Sequence, residues 1–135
     1  MKKESLINIY DAWFPIIIGF IFRIVNIQSP LLGIHSWRQA DTAAMARHFA
    51  LESTPIWLPQ IDWSGATSGY VECEFPFYPY LVAQIYQIFG INELVGRFVS
   101  IAFSILTILL IIRIGRYLLD PISGWIGGIF FAILP

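Results

Sequence analysis

Residues 94–112 read Leu94-Val-Gly-Arg97-Phe-Val-Ser-Ile-Ala-Phe-Ser-Ile-Leu-Thr-Ile-Leu-Leu-Ile-Ile112, and Arg113 and Arg116 follow. A run of about 20 mostly apolar residues is what a helix needs to cross the hydrocarbon core of a bilayer. Within that core every backbone N–H and C=O has to be satisfied inside the segment, so the run is a helix and not an open strand. The reading is a transmembrane helix over 94–112. Arg113 and Arg116 favour a cytoplasmic end, because cytoplasmic flanks carry the excess of Lys and Arg. That places Leu94 and Arg97 at the external end. There Arg97 either binds an anionic head group or snorkels to the interface.

The composition agrees. Of the 135 residues, 57% are hydrophobic and 13% are charged, about half the charge of a soluble domain. A net charge of −1, with no Lys/Arg cluster, gives no support to nucleic-acid binding. The single cysteine, Cys73, has no intrachain partner for a disulfide or a cysteine-based metal site.

Working outward toward the N-terminus, residues 12–28 form a second apolar run preceded by Lys2 and Lys3. A signal peptide has such a basic start, but the embedded Arg23 and the missing small-residue cleavage site argue against one. The run reads as the first transmembrane helix, with the N-terminus cytoplasmic. Arg23 and Asn26 near its outer end need partners or water: they either snorkel or pack. Residues 29–93 then form an external loop. Within it, residues 76–89 are shorter than an ordinary span and carry prolines, glutamines and tyrosines, an interfacial composition. This stretch reads as an external juxtamembrane or re-entrant helix; the alternative is a short true span. Toward the C-terminus, Leu119-Asp120-Pro121 is a turn, and residues 122–135 begin a third span. Gly124 and Gly128 there provide a small-residue face for close packing. Residues 53–74 are rich in turn formers and read as an irregular loop.

The densest polar stretch is His35-Ser-Trp-Arg-Gln-Ala-Asp41-Thr-Ala-Ala-Met-Ala-Arg-His-Phe-Ala50. Ser36 and Gln39 fit a capping box for a helix over residues 37–51. At helical spacing Arg38, Asp41, Thr42, Met45, His48, Phe49 and Glu52 share one face, and Ala40, Ala43, Ala44, Arg47, Ala50 and Leu51 the other. One reading is an amphipathic interfacial helix with solvated charges. The other is catalytic. Asp41 then serves as a general base that takes a proton from an attacking hydroxyl, and Arg38 holds it ionised or binds a phosphate. His48 reads as a surface or capping residue, and Glu52 as a helix end. Downstream, Glu72 and Glu74 precede the aromatic run Phe75-Pro-Phe-Tyr78-Pro-Tyr80. Either this is a loop rim with an aromatic belt, or Glu74 lines the same external pocket as Asp41 and Tyr78 contacts a sugar or isoprenoid.

Taken in order, Phe22-Arg23-Ile-Val-Asn26, Trp37-Arg-Gln-Ala-Asp41-Thr-Ala-Ala-Met-Ala-Arg47, Glu74-Phe-Pro-Phe-Tyr-Pro-Tyr80-Leu, Phe89-Gly90, Gly96-Arg97-Phe-Val-Ser100 and Ile114-Gly-Arg116 resemble the N-terminal part of the GT-C glycosyltransferases. The resemblance is to the bacterial protein-mannosyltransferase and aminoarabinose-transferase-like family. It implies an all-α integral membrane fold with about three transmembrane helices in this stretch plus external juxtamembrane helices, part of a larger polytopic protein in the bacterial inner membrane. It implies an inverting transferase that moves a sugar from a polyprenyl-phosphate donor to an acceptor hydroxyl on the external face. Asp41 matches the family's external acid, Arg38, Glu74, Tyr78 and Arg97 are candidate substrate-binding residues, and 37–51 and 76–89 match its juxtamembrane helices. Many members have Asp-Glu where this chain has Asp41-Thr42, so no metal ligands are assigned and no divalent metal is supported. The partners implied are the bilayer, the lipid-linked donor and an acceptor of unassigned chemistry. On this reading the chain is a piece of the enzyme, inactive alone. The competing reading is a non-catalytic membrane module or an inactive truncated chain.

Overall fold

A computed structural model of the chain describes residues 9–25, 27–29, 36–63, 65–72 and 74–134. Lys2, Lys3, Asn26, His35, Cys73 and Pro135 lie outside them. The described residues form α1 (Ile9–Ile24), α2 (Ser36–Glu52), α3 (Phe77–Phe89), α4 (Glu93–Leu118) and α5 (Pro121–Ile133). Met1–Ile27 and Ser100–Pro135 make one compact unit, and Gln28–Val99 the other.

In the first unit, α4 is the one described helix long and apolar enough to cross a membrane. Helices α1 and α5 are apolar but shorter, at 16 and 13 residues. Of the about three spanning helices expected, one described helix has the full length, and the other two apolar helices are shorter than an ordinary span. The run expected to span 12–28 leaves the helix after Ile24. The N–H of Ile27 closes a tighter bond to the carbonyl of Ile24 (3.1 Å), and Ser29 precedes a proline, which disfavours helical backbone. In contrast, α4 continues past Ile112 through Arg113 and Arg116, because a cation in the last turn suits the negative end of the helix. It stops just short of Asp120-Pro121. Asp120 is the N-cap of α5, accepting from the N–H groups of Ile122 (2.9 Å) and Ser123 (3.0 Å). Its carboxyl is held below the usual aspartate range by the Ser123 hydroxyl and by these amides. Pro121 follows at the first helical position, where its missing N–H costs nothing.

The three helices pack through small residues. The backbones of α4 and α5 touch at Gly115 and Gly124: a Cβ at Gly124 would lie 2.6 Å from the Ile112 carbonyl oxygen. Gly128 receives the side chain of Ile112, and Gly19 of α1 receives Ile108. Ala12, Ile108, Ile112 and Ala132 form the buried core. Phe14 stacks on Trp125 at 5.9 Å, and further along both helices Gly19 meets Ala132. So α1 and α5 run parallel, and α4 runs against them both.

Arg23 completes this unit. Its guanidinium donates to the carbonyls of Gly19 (3.2 Å), Ala132 (2.9 Å), Phe131 (3.3 Å) and Leu134 (3.2 Å). It also lies 5.6 Å from the centre of the Phe131 ring. The last carbonyls of a helix have no partner within the helix, and a cation there meets the negative end of the macrodipole. Arg23 therefore packs, ending the choice between packing and snorkelling.

In the second unit α2 lies on α3. Ala46, Val82, Tyr86 and Val99 are its buried core, and Phe49 packs edge-on against Tyr80 at 5.4 Å. Ser36, the expected N-cap, is the first helical residue of α2. Gly90 ends α3 with φ of +83°, a conformation that favours glycine. The stretch expected to be irregular contains a small hairpin. Gln60 and Tyr70 pair antiparallel, with Ile61 N–H on the Gly69 carbonyl (3.0 Å) and Val71 N–H on the Pro59 carbonyl (3.1 Å).

Candidate active site

The second unit holds an open cavity of about 600 Å³. Helix α2 supplies Trp37, Arg38, Asp41, Thr42 and Met45 to it; the hairpin supplies Ile61 and Val71; the approach to α3 supplies Glu72, Glu74, Phe75 and Pro76; and α3 supplies Tyr78 and Pro79. Positions 37, 41 and 45, with 38 and 42, recur at helical spacing, so one face of α2 forms one wall. Pro76 and Pro79 at the start of α3 suit a first turn that needs no N–H partner. They set the aromatic rings of Phe75 and Tyr78 beside the carboxylates of Glu72 and Glu74.

Four of the five expected site residues meet here: Asp41, Arg38, Glu74 and Tyr78. The fifth, Arg97, does not line the cavity; its guanidinium donates to the carbonyl of Ser29. The expected Arg38–Asp41 pairing is replaced by a longer-range one. Arg38 Nη2 lies 3.1 Å from both carboxylate oxygens of Glu74. Among the described residues Asp41 has no hydrogen bond or ion pair. It is partly buried, and so it keeps its acceptor capacity for something that enters the cavity. Tyr78 directs its hydroxyl away to the Gly96 carbonyl (2.7 Å), leaving its ring face as its contribution. Trp37, Ile61 and Val71 were not expected. Trp37 was legible from its i, i+4 spacing with Asp41; the hairpin residues had no periodic signal.

The stripe expected along α2 divides in two. His48 and Glu52 belong to a separate cluster with Asp62, which also draws in Arg47 from what was read as the opposite face. Burial raises the Asp62 carboxyl, but hydrogen bonds from His48 and Arg47 outweigh it and hold the group below the usual aspartate range. Among the described residues no three His, Cys, Asp or Glu side chains are grouped as a metal site.

The family model for the dolichyl-phosphate-mannose-protein mannosyltransferases matches residues 74–135. This part of the chain is GT-C mannosyltransferase-like. The mannosyltransferase-like segment begins at Glu74 and runs through α3, α4 and α5, so it carries one side of the cavity. Arg38 and Asp41, on α2, lie ahead of the matched residues. No curated protein and no solved structure matches the chain.

Proposed function

We propose that the chain is part of a membrane glycosyltransferase that moves a sugar from a polyprenyl-phosphate donor to an acceptor hydroxyl, on the external side of a bacterial inner membrane. The observation that carries this reading is the cavity, which gathers an unpaired carboxylate, a guanidinium and aromatic rings beside the mannosyltransferase-like segment. In the reaction the acceptor oxygen attacks the anomeric carbon while Asp41 takes its proton. The bond from that carbon to the phosphate oxygen breaks, and the lipid phosphate leaves with the electron pair. Among the described residues Arg38 meets Glu74 through Nη2, and its other N–H groups are donors for the phosphate. Glu74 sets the direction of that guanidinium, and Tyr78 offers a ring face to the sugar or the prenyl chain.

Helix direction supports the membrane arrangement. Parallel α1 and α5 cross the bilayer in the same sense, with α4 between them in sequence crossing in the opposite sense. A lone crossing by α3 would reverse α4 and α5 relative to α1, which supports reading α3 as a helix that does not span. Arg113 and Arg116 support a cytoplasmic end for α4, and on this reading the loop over residues 29–93 is external.

Asp41→Asn in the natural protein, assayed in proteoliposomes with a polyprenyl-phosphate sugar, is expected to lower transfer by at least about a thousandfold. Expression and folding are expected to be unchanged. Transfer at the wild-type rate removes Asp41 as the base.

A further inference from the structure

Asp62 ties the hairpin wall of the cavity to α2. Ile61 and Val71 line the cavity, and Asp62 follows Ile61 directly. Asp62 Oδ1 accepts from Arg47 Nη2 and lies 2.9 Å from His48 Nε2. The other ring nitrogen, Nδ1, lies 2.6 Å from Glu52 Oε1. Both partners of the ring are carboxylate oxygens, which accept and do not donate. A neutral imidazole has one N–H and one lone pair, so it satisfies one carboxylate and turns a lone pair toward the other. The imidazolium has two N–H groups and satisfies both. The ring is largely shielded, at 19% side-chain exposure against 47% for Glu52 and 56% for Asp62. The charged groups described around it are Arg47 and Glu52 from α2 and Asp62 from the hairpin. Helix α3, packed on α2, contributes Tyr80, whose ring contacts Phe49.

We propose that His48 is a positioning residue for the cavity: as imidazolium it clamps the 59–71 hairpin to α2, and loss of its proton loosens the wall formed by Ile61 and Val71. With a neutral ring, Glu52 and Asp62 compete for a single N–H. The clamp's first limit is therefore this proton. It has a second limit. Asp62 has a lowered native value, so its share of the stability is present above the usual 3.8 and is lost as pH falls through that lowered value. Only the consequence for substrate binding rests on the proposed function; the clamp is measured without catalysis.

The test is backbone hydrogen exchange in the intact chain in lipid nanodiscs, between about pH 5 and 8. The amides read are those of Ile61 and Val71, corrected for base catalysis of exchange. Protection in the wild type is expected to fall about fivefold as pH rises across this range. His48→Gln removes the step and leaves protection near the wild-type high-pH value. Glu52→Gln is the decisive variant. Its amide can donate to Nδ1 of a neutral ring, which frees Nε2–H for Asp62, so protection stays high at alkaline pH and the step disappears. His35→Gln, at the chain's other histidine, keeps the step. A flat wild-type profile, the same step in His48→Gln, or a full step in Glu52→Gln overturns the proposal. None of these results depends on whether Asp41→Asn abolishes transfer.

Discussion

The two units are built on opposite economies of charge. The unit of α1, α5 and the later part of α4 brings backbones into contact at glycine and uses one buried-side cation, Arg23, on main-chain carbonyls. The unit of α2, α3 and the hairpin is held by side chains and spreads its ions over the surface: Arg38 is 65% exposed and Glu74 88%. Exposed ion pairs contribute little to stability, because water screens them. Bonds to helix-end carbonyls among apolar side chains contribute more, because the alternative is an unsatisfied polar group. Arg23 in the first unit holds helix-end carbonyls; in the second unit Arg38 and Glu74 lie at the cavity, while Arg47, His48, Glu52 and Asp62 join the hairpin to α2.

The sharpest way to break the first unit is at its closest backbone contact. A Cβ at Gly124 meets the main-chain oxygen of Ile112 at 2.6 Å and the nitrogen of Arg116 at 2.7 Å, and main chain cannot swing aside. Gly124→Ala is expected to cost about 3 kcal/mol, and Gly124→Leu to prevent helix pairing. Gly128→Ala meets the buried Ile112 side chain, Cγ1 at 2.5 Å and Cδ1 at 2.8 Å, and no main chain among the nearest atoms, and is expected to cost about 2 kcal/mol. Thermal unfolding in micelles, followed by circular dichroism, ranks the three.

Arg23→Met comes next. It keeps much of the side-chain bulk but leaves the Phe131, Ala132 and Leu134 carbonyls without their donor. The expected loss is about 2 kcal/mol, and Arg23→Lys recovers part of it with fewer donors. The same unfolding measurement decides it: equal stability of Arg23→Met and wild type would mean that the α5 end needs no cap.

The smallest stability effect belongs to the second unit and sharpens the contrast. Glu74→Gln is expected to change stability by less than about 1 kcal/mol. It also removes a competing carboxylate from Arg38. Binding of a soluble short-chain prenyl phosphate, read by calorimetry, is expected to tighten several-fold. Weaker binding would assign Glu74 itself to the ligand.

Much of this was legible from local chemistry. The Asp120-Pro121 pair marked the start of α5, and residues 37–51 and 76–89 came within about a residue of α2 and α3 at each end, because caps, prolines and glycines act on neighbouring backbone. That Arg38, Asp41, Glu74 and Tyr78 belong to one candidate site, lining a single cavity, was legible from helical spacing and from the Pro-broken aromatic run. What escaped depends on distance along the chain. The partner of Arg38 is 36 residues away and displaced the local i, i+3 neighbour Asp41. The hairpin rests on a single bridge between Gln60 and Tyr70, too short to show an alternating pattern. Arg97 looked like a ligand residue by its place at a helix end, but a loop carbonyl from Ser29 occupies it.

The bond from Arg23 to the Ala132 carbonyl joins residues 109 apart, and that separation sets an order of events during synthesis. When α1 leaves the ribosome, the carbonyls that Arg23 will hold have not been translated. Until they are, the guanidinium has only the Gly19 carbonyl of its own helix among the acceptors it holds in the folded chain. The contact between α1 and α5 therefore closes only after Phe131 to Leu134 have emerged.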